Sequence, residues 1–245
     1  MNTVAPHPTD QSHDTVAGKS IVQCRGLSKS YGSGDALVHA LQEVDLDIST
    51  GEFVSLSGPS GSGKTTLLNH LGGLDRPTSG DVVVDGQSLG ALDKGRLADL
   101  RLNKIGFVFQ AYNLIPVLSA YENVEFILQL QGVQSRQRRE RAREMLAEVG
   151  LEGLGNRRPG QLSGGQQQRV AVARAMASKP SIVFADEPTA NLDSAATDEL
   201  LKLMHGLNES RGMTFCVASH DPRVIQYARR RIRMRDGKIE ADERV

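Results

Sequence analysis

"EFVSLSGPSGSGKTT", residues 52–66, decides the fold. Its first six residues form a short apolar run of strand character, and Gly58-Pro59-Ser60-Gly61-Ser62-Gly63-Lys64-Thr65 then matches G-x-x-x-x-G-K-[ST] before a helical pattern begins. A strand that stops in a glycine-rich loop and restarts as a helix is the setting that separates a nucleotide phosphate site from a surface turn. The glycines let backbone N–H groups wrap a β-phosphate, Lys64 neutralises β/γ charge, and the Thr65 hydroxyl reaches Mg²⁺. Thr66 ends the stretch.

Three more apolar runs repeat the pattern. "IGFVFQ" (105–110), "SIVFAD" (181–186) and "TFCVASH" (214–220) alternate with helical stretches, which indicates a parallel α/β core. Upstream, "IVQCRGLSKSYG", "ALVHALQEVDLDIST" and "GDVVVDG" carry strand content bounded by turn residues, so a small antiparallel sheet is expected at the N-terminal end. Between the second and third runs lies a helix-rich insert of about 111–165. Ser119 and Glu122 predict a capping box, with Val124, Ile127 and Leu128 on an apolar stripe ended by Gly132. A second helix from about Ser135 places Ala142, Met145, Leu146 and Val149 on one face. Its arginines 136, 138, 139, 141 and 143 read as a solvated face.

Each strand end carries a polar residue. Asp186 suits a Mg²⁺ ligand, bound directly or through one of the metal's other ligands, and Glu187, one step on, suits the general base that polarises an attacking water. Gln110 at its strand end can touch Mg²⁺ and that water, and His220 can reach the γ-phosphate. Tyr31, in a Gly/Ser-rich loop, has two readings: an aromatic face for adenine, or a tyrosine covering the small sheet.

"QLSGGQQQRV", 161–170, sets Ser163, Gly164, Gly165 and Gln166 at the start of another helix, whose N-terminus favours an anion. One phosphate loop already serves one nucleotide from its own side. A second grip about a hundred residues on is economical if it serves the nucleotide of another copy in a two-fold dimer.

The remaining composition narrows the classes. Over 245 residues, 29 Lys and Arg balance 29 Asp and Glu, which argues against a general nucleic-acid binder. Cys24 and Cys216 lie far apart in apolar runs and read as small buried hydrophobes of a reducing compartment. Residues 1–20 are polar, lack a secretory pattern and are expected to be a disordered tail. No apolar run approaches the roughly 20 residues of a membrane helix, so any spanning falls to other chains. "RRRIRMRDGKI" alternates Arg231, Ile232, Arg233, Met234 and Arg235 before Asp236-Gly237, as in a half-exposed strand entering a hairpin.

Taken together, Tyr31, "GPSGSGKTT", Gln110, "LSGGQ", "IVFADEP", "NLD" (191–193) and His220 resemble the ATPase subunit of an ABC (ATP-binding cassette) transporter, over about residues 21–240. That resemblance implies a P-loop NTPase core with an N-terminal antiparallel β-subdomain and an inserted α-helical subdomain, taking ATP and Mg²⁺. It implies two ATP molecules held head to tail between two such chains, a homodimer being the simplest case, with Asp193 communicating between the sites. It further implies integral membrane permease subunits on separate chains and a peripheral place on the cytoplasmic face of the membrane. The segment after Gln110 would meet their coupling helices. Leu114, Ile115, Pro116, Val117 and Leu118 there are either a docking patch or packing inside the insert.

The words "NHLGGLDRPTSG", "YNLIPVLSAYENVE" and "QLSGGQQQRVAVARA" are similar to the lipoprotein-releasing, macrolide-exporting and cell-division ABC ATPases. A regulatory ABC ATPase of cell division or cell-wall remodelling is an alternative. A soluble ABC ATPase of translation or DNA maintenance fits less well, with one cassette and no long heptad insertion.

Overall fold

Four apolar runs too short for helices become adjacent parallel strands. The structure, a computed structural model, describes residues 19–245 apart from the side chain of Asp35, so the expected tail lies almost wholly outside the described residues. Strands β1 (Ser20–Tyr31), β2 (Val38–Ser49), β4 (Ser79–Val84) and β5 (Gln87–Ser88) make an antiparallel sheet in the order β2-β1-β4-β5. Strands β3 (Phe53–Ser57), β6 (Ile105–Phe109), β7 (Ile182–Asp186), β8 (Phe215–Ala218), β9 (Arg230–Arg235) and β10 (Lys238–Arg244) make the second, in the order β10-β9-β3-β8-β7-β6. Its pairs are parallel except the β9–β10 hairpin, with Phe53 opposite Phe215 and Ile105 opposite Ile182.

Strands β3, β6, β7 and β8 are buried on both faces, which is why they read as unbroken apolar runs, whereas β9 alternates buried and more exposed positions. Along β7, Val183 and Ala185 face one core while Ile182 and Phe184 face the other. On β8, Phe215 and Val217 share the first core, and Cys216 and Ala218 the second. The first core is completed by α3 (Ala120–Leu130), α4 (Ser135–Glu148), α5 (Gly164–Ala177) and α6 (Ser194–Arg211). The second is completed by α1 (Lys64–Leu71), α2 (Lys94–Lys104) and the antiparallel sheet. Fully burying a phenylalanine such as Phe53, Phe184 or Phe215 contributes about 1.5–3 kcal/mol. Both cysteines are buried and free, and burial pushes the Cys24 thiol up to about 12.

The expected Ser119–Glu122 capping box opens α3, and α4 begins at Ser135. The solvated reading of the α4 arginines holds only in part. Arg138 is one-fifth exposed and donates to the Val133 carbonyl, and the half-buried Arg141 pairs with Glu144, because both lie beside the buried face of the helix. The arginine-rich strand is half-exposed and enters a hairpin, as its alternation predicts, and its charges are paired. Arg230 is buried against Asp242 and Glu52, while Arg233 and Arg235 share Glu240 on β10, so the hairpin is cross-braced by its own acids. Asp236 and Gly237 both take positive φ, 48° and 76°, the backbone that a two-residue hairpin turn requires. A short helix, α7 (Pro222–Tyr227), joins β8 to β9.

Candidate active site

Parallel strands deliver their C-terminal ends to one edge of the sheet, where open α/β folds bind ligands. Here β3 ends at Ser57 and leads into Gly58–Gly63, β6 leads into Gln110, β7 ends at Asp186 beside Glu187, and β8 leads into Ser219 and His220. A cavity of about 630 Å³ lies at that edge, lined by the Gly58–Thr66 loop, Gln110, Glu187 and His220, with Val38, His39, Ala40 and Ala190.

The loop is a cradle built for a ligand's close approach. Gly61 and Gly63 have φ of 79° and 99°, and a Cβ on Gly63 would stand 2.6 Å from the Ala40 carbonyl oxygen. Gly63 is also the N-cap of α1 and supplies no side chain to cover the first N–H groups. Lys64, 9 % exposed, folds back to donate to the carbonyls of Gly58 and Pro59 at 2.8 and 3.0 Å. The buried Ser62 hydroxyl has no partner among the described residues.

Beside the cradle, the Thr65 hydroxyl donates to Asp186 Oδ1 at 3.0 Å. Desolvation holds the Asp186 carboxyl above the usual carboxylate range, with Glu187 adding to the rise. A half-buried carboxylate, a hydroxyl and an amide oxygen beside a phosphate cradle are hard oxygen donors of the kind Mg²⁺ selects. Glu187 sits at φ 47°. Its carboxylate accepts from Ser219 Oγ at 3.1 Å and lies 3.0 Å from His220 Nδ1. Gln110 and Asn191 exchange hydrogen bonds: Asn191 Nδ2 donates to the Gln110 carbonyl at 3.0 Å, and Gln110 Nε2 donates to Asn191 Oδ1 at 3.4 Å.

The remaining sequence-predicted residues stand apart from the cavity lining. Tyr31 pairs in register with the cavity residue Val38, but its hydroxyl donates to Asp75 and Lys29 lies over its ring. Ser163 and Gln166 close a capping box on each other at the start of α5, so part of that grip is spent within the chain. The Gly165 position is also set by packing, since a Cβ there would stand 2.9 Å from Ala196 Cβ. Asp193 caps α6 by accepting from the Ala196 N–H.

Several supports of the site carry no local signal in the sequence. Besides Ser219 and the Asn191 contact, Arg174 donates to the carbonyls of Tyr112 and Asn113, both at positive φ, and so fixes the turn after Gln110. Asn123, 1 % exposed, binds the backbone of Ile115, Leu118 and Ser119. The apolar loop it holds divides: Leu114 packs on the first core, whereas Val117 is 72 % exposed. Adjacent to this region, a groove of about 380 Å³ is lined by Leu74, Phe107, Phe109, Ile127 and Arg174 among others.

A family profile described as ABC transporter matches residues 41–190. The chain is 46 % identical over 229 residues to the ABC transporter ATP-binding protein MJ0796 of Methanocaldococcus jannaschii, covering 92 % of this chain and 97 % of that one. It is 43 % identical over 234 residues to the lipoprotein-releasing system ATP-binding protein LolD of Chromohalobacter salexigens, covering 94 % and 99 %. It is 50 % identical over 224 residues, 91 % of its length, to the macrolide export ATP-binding/permease protein MacB of Syntrophobacter fumaroxidans, and spans 31 % of that protein. A dimeric post-hydrolysis structure of MJ0796 bound to ADP and Pi matches with a TM-score of 0.84 at 46 % identity, covering 91 % of this chain and 98 % of that one. The chain belongs to the ABC transporter family, as an ATP-binding and ATP-hydrolysing subunit. Among the described residues no helix is long and apolar enough to cross a membrane.

Proposed function

We propose that two copies of this chain form a head-to-tail motor in which each ATP lies between the Gly58–Thr66 loop of one copy and Ser163–Gln166 of the other. The observation that carries this reading is that the α5 start contributes nothing to the lining of the phosphate cavity of its own chain. MJ0796, whose chain is similar throughout, is described as dimeric. Tyr31, at the cavity edge, stacks on adenine once its ring is released from Lys29, and Asp193 links the paired sites.

In this reading Lys64 leaves the loop carbonyls for the β/γ-phosphates, and Glu187 takes a proton from the attacking water. His220 turns from Glu187 towards the γ-phosphate, its side chain being 73 % exposed and free to move. Gln110 orients the water. Mg²⁺, held by Thr65, Gln110 and Asp186, would supply positive charge against the phosphates.

The groove lined by Phe107, Phe109 and the exposed Leu74, with the exposed Phe126 adjoining its lining residue Ile127, fits a cytoplasmic helix of an integral membrane subunit. The helical insert of about 111–165 contributes Asn113 and Ile127 to it. The chain would then be peripheral to the cytoplasmic membrane face, powering mechanotransmission or, as the names LolD and MacB state for those relatives, lipoprotein release or export.

Glu187→Gln should leave ATP binding intact and lower turnover by roughly 10²–10⁴-fold. Near-normal turnover would remove Glu187 from the role of base. The shared site is tested by mixing chains. Lys64→Ala and Gly164→Asp chains, each inactive alone, should regain ATP-dependent dimerisation when combined, because one composite site keeps an intact half from each. Absence of recovery would place both grips on one nucleotide of one chain.

A further inference from the structure

We propose that Ser219 is the positioning residue for Glu187, fixing one carboxylate oxygen so that the other faces the attacking water; this rests on the reading of Glu187 as base. Ser219 is 1 % exposed, directly after β8, and its N–H donates to the Leu56 carbonyl at 3.0 Å. Its hydroxyl has one proton and two lone pairs. The Asp221 N–H donates to Ser219 Oγ at 3.1 Å and takes a lone pair, so the proton is directed to Glu187 Oε2, also at 3.1 Å. Asp221 is itself immobilised, since its carboxylate accepts from the Arg223 N–H, Nε and Nη2.

Glu187 is moored to the same strand. Its N–H donates to the Ala218 carbonyl at 2.9 Å, next in sequence to Ser219, while its φ of 47° turns the side chain out of the strand direction. The two partners of its carboxylate are unequal. His220 reaches Oε1 from an exposed side chain, whereas Ser219 holds Oε2 from within the protein. When His220 turns to the nucleotide, Oε1 is released and Oε2 stays bound. The water oxygen then bonds to the γ-phosphorus as its proton passes to Oε1. The bond from that phosphorus to the bridging oxygen breaks with its electron pair leaving on ADP.

The test is steady-state ATP hydrolysis by the full chain with Mg²⁺. Ser219→Ala should lower kcat roughly 10- to 100-fold, the worth of a hydrogen bond to a charged group, with KM for ATP within about twofold. Ser219→Thr, which keeps the hydroxyl, should recover most of the loss. In a Glu187→Gln background, Ser219→Ala should cost nothing further beyond about twofold, because its effect passes through the carboxylate. Wild-type kcat in Ser219→Ala, or the full loss repeated in the Glu187→Gln background, would overturn the proposal, and the second comparison stands even where the Thr variant folds poorly. Impaired Glu187→Gln with normal Ser219→Ala defeats this inference alone, whereas near-normal Glu187→Gln defeats the base assignment beneath it.

Discussion

Two glycine-rich helix starts in this chain look alike on paper and differ in chemistry. At α1 the cap is Gly63 in the left-handed region with no side-chain acceptor, and the lysine beside it is curled onto loop carbonyls. At α5 the cap is Ser163, whose hydroxyl and the Gln166 amide satisfy each other's backbone. The first leaves its polar groups for a ligand. At the second, the Ser163 and Gln166 N–H groups are already satisfied within the chain, so only part of that helix start is open to a phosphate. A glycine-rich helix start is thus a phosphate site only in proportion to what its own side chains leave uncovered.

The largest test of that contrast is Lys64→Ala, which should weaken ATP binding to the isolated chain by roughly 10- to 100-fold in calorimetry. Gly164→Asp should leave the same affinity within about twofold, and equal losses would erase the distinction. Next comes Gly165→Leu. Overpacking against Ala196 should cost about 1–3 kcal/mol and lower the melting temperature by several degrees, even without nucleotide. Ser163→Ala should cost about 1 kcal/mol through the lost cap, read as a smaller shift of the same melt.

The smallest effect concerns Asp186. Its folded-state pKa is raised, so the folded chain holds that proton more tightly, and the stability it contributes at acid pH is lost as pH rises through the folded value. Asp186→Asn should therefore melt higher than wild type near neutral pH without Mg²⁺, with the gap closing towards pH ~4. Asp242, held low by Arg230, has the opposite sign: its contribution is present above the ordinary carboxylate value and lost as pH falls. An unchanged gap across the range would show that burial of Asp186 does not set its titration.

The parallel strands, the phosphate loop and the Ser119 cap were legible because each is a local pattern, a run or a spacing within about ten residues. Ser219 was not, since its meaning depends on Glu187, which is 32 residues away in sequence. Asn191 and Arg174 escaped for the same reason, meeting Gln110, Tyr112 and Asn113 only through the folded chain. Arg138 and Arg141 were misread because a run of like charges looks solvated until its acids arrive from another element or another turn. Tyr31 showed an aromatic face in sequence, but not the Lys29 that lies over it.

The close approach of Gly165 to Ala196 has a consequence for how such sequences diverge. Selection for folding alone disfavours any side chain at that position, whether or not the chain still hydrolyses ATP. Loss of Glu187 would stop the chemistry without touching this contact, whereas a side chain at 165 would strain the seam between α5 and α6 whether or not ATP is hydrolysed.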